Sequence, residues 1–176
     1  MRNIVNLNFK WAFSKEAEAV PASMPEKWYW VNLPHTWNNL DGQGAESTYY
    51  KGACTYTKIL PKYDGKVFLE LKGANSFCKV LVNGRSAGEH KGGYSTCRFE
   101  LTKLLTSPKN FLEITVDNSE RKDIYPAFAD FTFYGGLYRD VNIIAVASTR
   151  FDLDYYGAPG IKITPVVNGT DATVTV

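Results

Sequence analysis

The sequence contains no apolar run near the roughly 20 residues that a membrane-spanning helix requires, which excludes that kind of span. It also lacks a basic stripe: 20 Lys and Arg face 18 Asp and Glu, and they are scattered along the chain. A nucleic-acid footprint needs clustered cations, so no nucleic-acid partner is expected. There are only three cysteines, Cys54, Cys78 and Cys97, far apart and odd in number. That count argues against a disulfide framework, and each sits in a predicted strand, where a thiol behaves as a small hydrophobe. The two histidines, His35 and His90, lie at no ligand spacing. With Pro34 and Trp37 fixing a corner in "LPHTW", His35 reads as structural, and so does His90 between turn residues. No G-x-S-x-G elbow and no G-x-G-x-x-G loop is present, which removes the usual signals for a serine hydrolase or a phosphate cradle. The acids are dispersed, with no pair marked out for the two-carboxylate chemistry of glycoside cleavage.

Period-two patterning, by contrast, is plentiful. Leu7, Phe9, Trp11 and Phe13 alternate with other residues, as do Val67, Leu69 and Leu71, then Val80 and Val82, then Leu112, Ile114 and Val116. Such alternation marks half-buried strands. Turn signals such as "KYDGK", "VNGRSAG", "HKGGY" and "TSPKN" separate them. Asn83-Gly84 predicts a tight hairpin because both residues tolerate positive φ. Only "ELTKLL", Glu100 to Leu105, looks briefly helical. Many short strands without long helices predict an all-β antiparallel sandwich or barrel, about one domain in size. Trp11, Leu69, Val80, Val82, Leu112 and Ile114 are the expected core.

Two long loops interrupt the pattern, from Glu16 to about Tyr50 and from Asn118 to about Gly136. Loops of that length in a sandwich are functional or docked on a neighbour. They carry Tyr49, Tyr50, Tyr125, Phe131, Phe133 and Tyr134 as flat rings, and Asp41 and Asp130 as hydrogen-bond acceptors. Rings and acids can meet the C–H face and the hydroxyls of a sugar. The same rings can simply pack on another domain. After Thr149 a Gly/Pro turn precedes two strand-like pieces, Ile161 to Val167 and Ala172 to Val176. We expect residues 1–149 to form one sandwich domain and residues 150–176 to begin a second, truncated one. Asn168-Gly169-Thr170 is a sequon that matters only in a eukaryotic secretory setting.

An ordered series of motifs resembles glycoside hydrolase family 2, which includes β-galactosidases, β-glucuronidases and β-mannosidases. The segments are "WYWVNLPHTWN", "YYKGACTYTK", "VLVNGRSAGEHKGGYSTCRFELT", "VDNS" and "YGGLYRDV". Cys54, Thr55 and Thr57, Ala87, and Thr96-Cys97 depart mildly from the family pattern. The resemblance implies a jelly-roll-like, galactose-binding-domain-like sandwich as the N-terminal sugar-binding domain of a longer enzyme, with the tail opening an immunoglobulin-like domain. A downstream (β/α)8 barrel would carry both catalytic glutamates. It needs at least about 200 residues by itself, so no catalytic residue is expected in this chain, and the chain alone should be inactive. The aspartate ahead of the G-(I/L)-(F/Y)-R-D-V strand binds galactose hydroxyls in β-galactosidases and, in some members, a sodium ion. Asp130 matches it, as candidate substrate and metal ligand. Asp41 in "DGQ", with Tyr50, and Tyr134 are the other expected substrate contacts, while Arg139 and Asp140 read as a strand-borne ion pair. The implied partners are a β-galactoside and the catalytic domain of the same polypeptide. The implied function is support of that barrel's active site. A stand-alone lectin-like module is the alternative. Localisation stays open: periplasmic or extracellular if an export signal has been removed, otherwise cytoplasmic.

Overall fold

The computed structural model describes residues 2–15, 29–41, 49–126 and 129–176. Its strands are β1 (Asn3–Asn6), β2 (Trp11–Ser14), β3 (Tyr29–Val31), β4 (Ala53–Pro61), β5 (Lys66–Leu71), β6 (Phe77–Val82), β7 (Arg85–Lys91), β8 (Cys97–Glu100), β9 (Lys109–Asp117), β10 (Val141–Val146), β11 (Thr164–Asn168) and β12 (Asp171–Thr175). One sheet has the order β1-β10-β5-β8, a second the order β3-β2-β4-β9-β6-β7, and β11 and β12 form a separate hairpin. Every strand pairing is antiparallel.

The two larger sheets face each other over a single core, as a jelly-roll-like sandwich requires. Val67, Leu69, Leu71, Val141 and Ile143 of the four-stranded sheet meet Trp11, Tyr56, Val80, Val82, Leu112 and Ile114 of the six-stranded one. All six residues expected in the core are fully buried. The hairpin at Asn83-Gly84 forms as read, with φ of 52° and 75°, and it pairs Val82 with Arg85.

Four local expectations change. The alternation from Leu7 to Phe13 is not one strand. The chain leaves β1 in one sheet and enters β2 in the other, turning at Lys10 with φ 56°, and Phe9 is left outside. The first long loop contains an edge strand, β3, paired with β2 through Trp11–Val31 and Phe13–Tyr29. "ELTKLL" is a single turn and no helix: Leu104 and Leu105 donate back to the Leu101 carbonyl at 2.8 and 3.1 Å, and all three leucines are buried. Arg139 and Asp140 are neither strand-borne nor paired: they precede β10, with a bend at Arg139. Asp140 instead accepts from Asn8 at 2.8 Å and meets Lys72 at 3.5 Å, while Arg139 lies over the Tyr138 ring.

Candidate functional site

Several loops converge beside the start of β10. Backbone hydrogen bonds tie Asn75 N–H to Gly136 O at 3.1 Å and His35 N–H to Leu137 O at 2.8 Å. The Asn75 side chain donates to Tyr134 O at 2.9 Å, and the Tyr138 hydroxyl donates to Gly93 O at 2.5 Å. The double glycine is what permits this approach. A Cβ at Gly135 would overlap the Trp37 indole, and one at Gly136, where φ is +129°, would overlap the His35 carbonyl. Gly-Gly therefore serves here as a packed corner that lets two loops touch.

Beneath that corner lies Asn38, wholly buried. Its Oδ1 accepts from Gly135 N–H at 2.7 Å and from Asn118 Nδ2 at 3.2 Å. Its Nδ2 donates to Asp41 Oδ2 at 2.7 Å and to Tyr50 O at 2.8 Å. Both donors and both acceptor positions of the amide are thus used, joining three distant segments of the chain.

Above the corner a cleft of about 320 Å³ opens, lined by Thr36, Asn75, Tyr94, Phe131, Thr132, Tyr134 and Tyr138. That volume matches the low end of small-molecule sites, which are mostly apolar with a few placed polar groups. Tyr94 and Tyr138 meet edge to face at 6.5 Å, and Phe131 tilts onto Phe133 at 5.0 Å. Phe131 and Tyr134 remain 55% and 48% exposed, so their faces are available to a ligand. Among the described residues no charged side chain lines the cleft. A smaller adjoining hollow shares Asn75 and Tyr94 and adds Lys51, Glu120 and Arg121. Its charges are neutralised locally: Lys51 pairs with Glu120 at 2.7 Å, and Asp123 takes Lys91 at 2.7 Å and Arg121 at 3.3 Å. Those two cations, Lys91 first, hold the Asp123 carboxyl down at about 2.

The expected site residues separate into two groups. Asp41 and Tyr50 come together in the scaffold: Asp41 Oδ2 accepts Tyr50 N–H at 2.9 Å as well as the Asn38 amide. These two bonds, the Asn38 one first, lower the Asp41 pKa. The Tyr50 hydroxyl donates to Lys15 O at 3.1 Å. Tyr134 lines the cleft, whereas Asp130 is exposed, one residue before the lining residue Phe131 and not itself part of the lining. Gly42 and Gln43 of the "DGQ" stretch lie outside the described residues. Among the described residues no group of three or more His, Cys, Asp or Glu comes together to hold a metal ion. His35 is structural as expected. Its Nδ1 shares a hydrogen bond with the Tyr56 hydroxyl at 2.7 Å, and burial lowers its pKa. All three cysteines are free and buried, and burial pushes the Cys54 thiol up to about 12.

Sequence reasoning missed Asn38, Asn75 and Tyr94. Tyr94 and Gly93 stood in "HKGGY", read only as a turn. The available signal was a ring directly after a glycine pair, flexible backbone beside an aromatic, as also occurs in "FYGGLY".

An antiparallel sandwich whose loops present exposed rings and amide groups in one cleft has the form of a ligand-binding β-domain. Residues 45–147 match the family described as glycosyl hydrolases family 2, sugar binding domain, and the chain belongs to that family. It is 35% identical to a β-glucuronidase of Bacteroides fragilis, over 97% of this chain and 24% of that protein. It is 31% identical to a β-galactosidase of Thermoanaerobacter pseudethanolicus, over 88% of this chain and 22% of that protein. A Bacteroides uniformis β-glucuronidase 2, solved covalently bound to cyclophellitol-6-carboxylate aziridine, superposes with a TM-score of 0.86 at 35% identity, covering 94% of this chain and 20% of that one. The chain spans about a quarter of the length of the curated relatives it matches.

Proposed function

We propose that this chain is the N-terminal domain of a family 2 β-glycosidase and that its aromatic cleft forms one wall of the substrate site. A catalytic barrel in the same polypeptide would supply the hydrolytic groups. The observation that carries this reading is the cleft itself, where the half-exposed rings of Phe131 and Tyr134 line one hollow with the Asn75 side chain, and Asp130 directly precedes Phe131 in the sequence. The rings would take the C–H face of a sugar or of its leaving group. Asp130 would accept hydroxyl hydrogen bonds and would be one oxygen ligand if a sodium ion is bound. Asp41 and Tyr50 would act one step back, holding the loop ends through Asn38.

A β-glucuronide is the favoured substrate, because the 35% relative that covers nearly the whole chain bears that name. The lining described carries no cation and would then receive the neutral part of the molecule, while the carboxylate would be met by Arg139, which packs on Tyr138 and donates to Tyr94 O, or by another domain. The galactoside expectation is the second reading, supported by relatives named β-galactosidase at 31% and 32% identity. Residues 150–176 would open the next sandwich domain, with β11 and β12 as its first hairpin. The test is kinetic: turnover of chromogenic glucuronide and galactoside by the full-length enzyme and by its Asp130→Asn variant. Impaired turnover with an unchanged fold supports the reading, and unchanged kinetics on both substrates refutes it for Asp130.

A further inference from the structure

The outer face of the four-stranded sheet carries a polar row that is exposed at Asn6 and buried at Asn142, Glu70 and the Arg98 side chain. Asn6, Asn142, Glu70 and Arg98 stand side by side in register, one on each strand. Their side chains link end to end. Asn6 Nδ2 donates to Asn142 Oδ1 at 3.3 Å, and Asn142 Nδ2 donates to Glu70 Oε1 at 3.2 Å. Arg98 Nε and Nη2 both reach Glu70 Oε2 at 2.8 Å. Its third nitrogen, Nη1, leaves the sheet and donates to Leu153 O at 3.2 Å and Ala158 O at 2.9 Å.

The Arg98 and Glu70 side chains are only 6% and 8% exposed. Burying an ion pair costs desolvation, and apolar side chains of similar volume often stabilise as well. What they cannot do is bind two backbone carbonyls, and a rigid guanidinium fork can. The segment that supplies those carbonyls is closely seated. Leu153 is buried with Phe68, Ile144 and Val146. Gly157, at φ +68°, leaves no room for a side chain, since a Cβ there would stand 2.6 Å from Thr96 O.

We propose that the Arg98–Glu70 pair is a latch. It makes the outer face of the four-stranded sheet a docking surface for residues 152–158 of the same chain, and so fixes the direction in which the polypeptide leaves for the β11–β12 hairpin. Glu70 and Asn142 orient the guanidinium, and Arg98 holds the segment. Apolar contact through Leu153 alone would leave the segment free to slide, whereas two carbonyls on one nitrogen set its register.

The test compares amide hydrogen exchange of the full chain with Arg98→Lys and Arg98→Met. Lysine keeps a cation beside Glu70 but cannot bridge the carboxylate and both carbonyls. We expect exchange in residues 152–158 to accelerate about tenfold or more in both variants, with core amides of β5 and β10 unchanged. Chymotryptic cleavage at the exposed Tyr155 and Tyr156 should rise in parallel. Native-like exchange of 152–158 in Arg98→Lys overturns the proposal. So does accelerated exchange spread evenly over the sheet, or outright failure of Arg98→Lys to fold, because the pair would then hold the sheet and not the tail.

Discussion

The side-chain oxygen of Asn38 accepts the backbone N–H of Gly135 at 2.7 Å across 97 residues of sequence. This bond joins the loop that follows β3 to the loop that enters β10, and the cleft forms above the join. Removing the amide leaves Gly135 N–H without its acceptor, takes one of two acceptors from the Asn118 side chain, and leaves Tyr50 O and Asp41 with one donor fewer. A buried unsatisfied polar group costs about 1–3 kcal/mol. Asn38→Ala should therefore lose about 3 kcal/mol, which lowers Tm by roughly 6–12 °C for a chain of this size. Thermal unfolding checks this, and a shift below about 2 °C would show that water replaces the amide at little cost.

Gly135→Ala tests the corner from the other side. A methyl group there overlaps the Trp37 indole, and the ring is held in the core. Overpacking of this kind costs about 1–3 kcal/mol. The variant should melt lower than wild type and bind ligands less well, since the Trp37 side of the corner must move. An unchanged Tm would mean that the corner relaxes freely.

For Asp130→Asn in the full-length enzyme, a charge-assisted hydrogen bond is worth roughly 1.5–3 kcal/mol, or about 10- to 150-fold in kcat/KM. The fold should be untouched because the side chain is exposed. A lowered Tm with normal kinetics would instead make Asp130 a loop residue only.

Acid should weaken the fold in two windows. His35 and His90 are both held below the ordinary value of 6.5 by burial. The unfolded chain therefore binds more protons than the native one as pH falls through 6.5, and stability is lost until the native histidines also protonate. Asp41, held low first by the Asn38 amide, adds a second loss below its ordinary 3.8. Urea midpoints measured at pH 7.5 and at pH 5 should differ, with a smaller difference in His35→Gln. Equal midpoints would contradict the burial argument.

Much of the sandwich was legible because one face of each strand packs on the core. Leu69 and Ile114 alternate with their neighbours for that reason, and Asn83-Gly84 announces its own turn. The outer face of β5 was less legible. Phe68 and Glu70 occupy positions that alternation assigns to solvent, yet both are buried because residues 150–158 cover them. That cover is a tertiary event with no local signature beyond an apolar Phe68 at an outward position. The site divided in the same way. Tyr134 could be read from its company of rings and glycines, and it lies in the cleft. Asn38 could not, since a single asparagine in "HTWNN" carries no hint that four partners from three segments will meet it.

The central claim is that the rings around Asn75 form a wall for a glycoside, and an NMR titration of the 176-residue chain tests it most directly. Phenyl β-glucuronide and phenyl β-galactoside should each shift the resonances of Tyr94, Phe131, Tyr134 and Tyr138 with a Kd of about 1 mM or weaker, near 4 kcal/mol of binding free energy, because only one wall is present. Shifts confined to other surfaces, or none at saturating glycoside, would contradict the account.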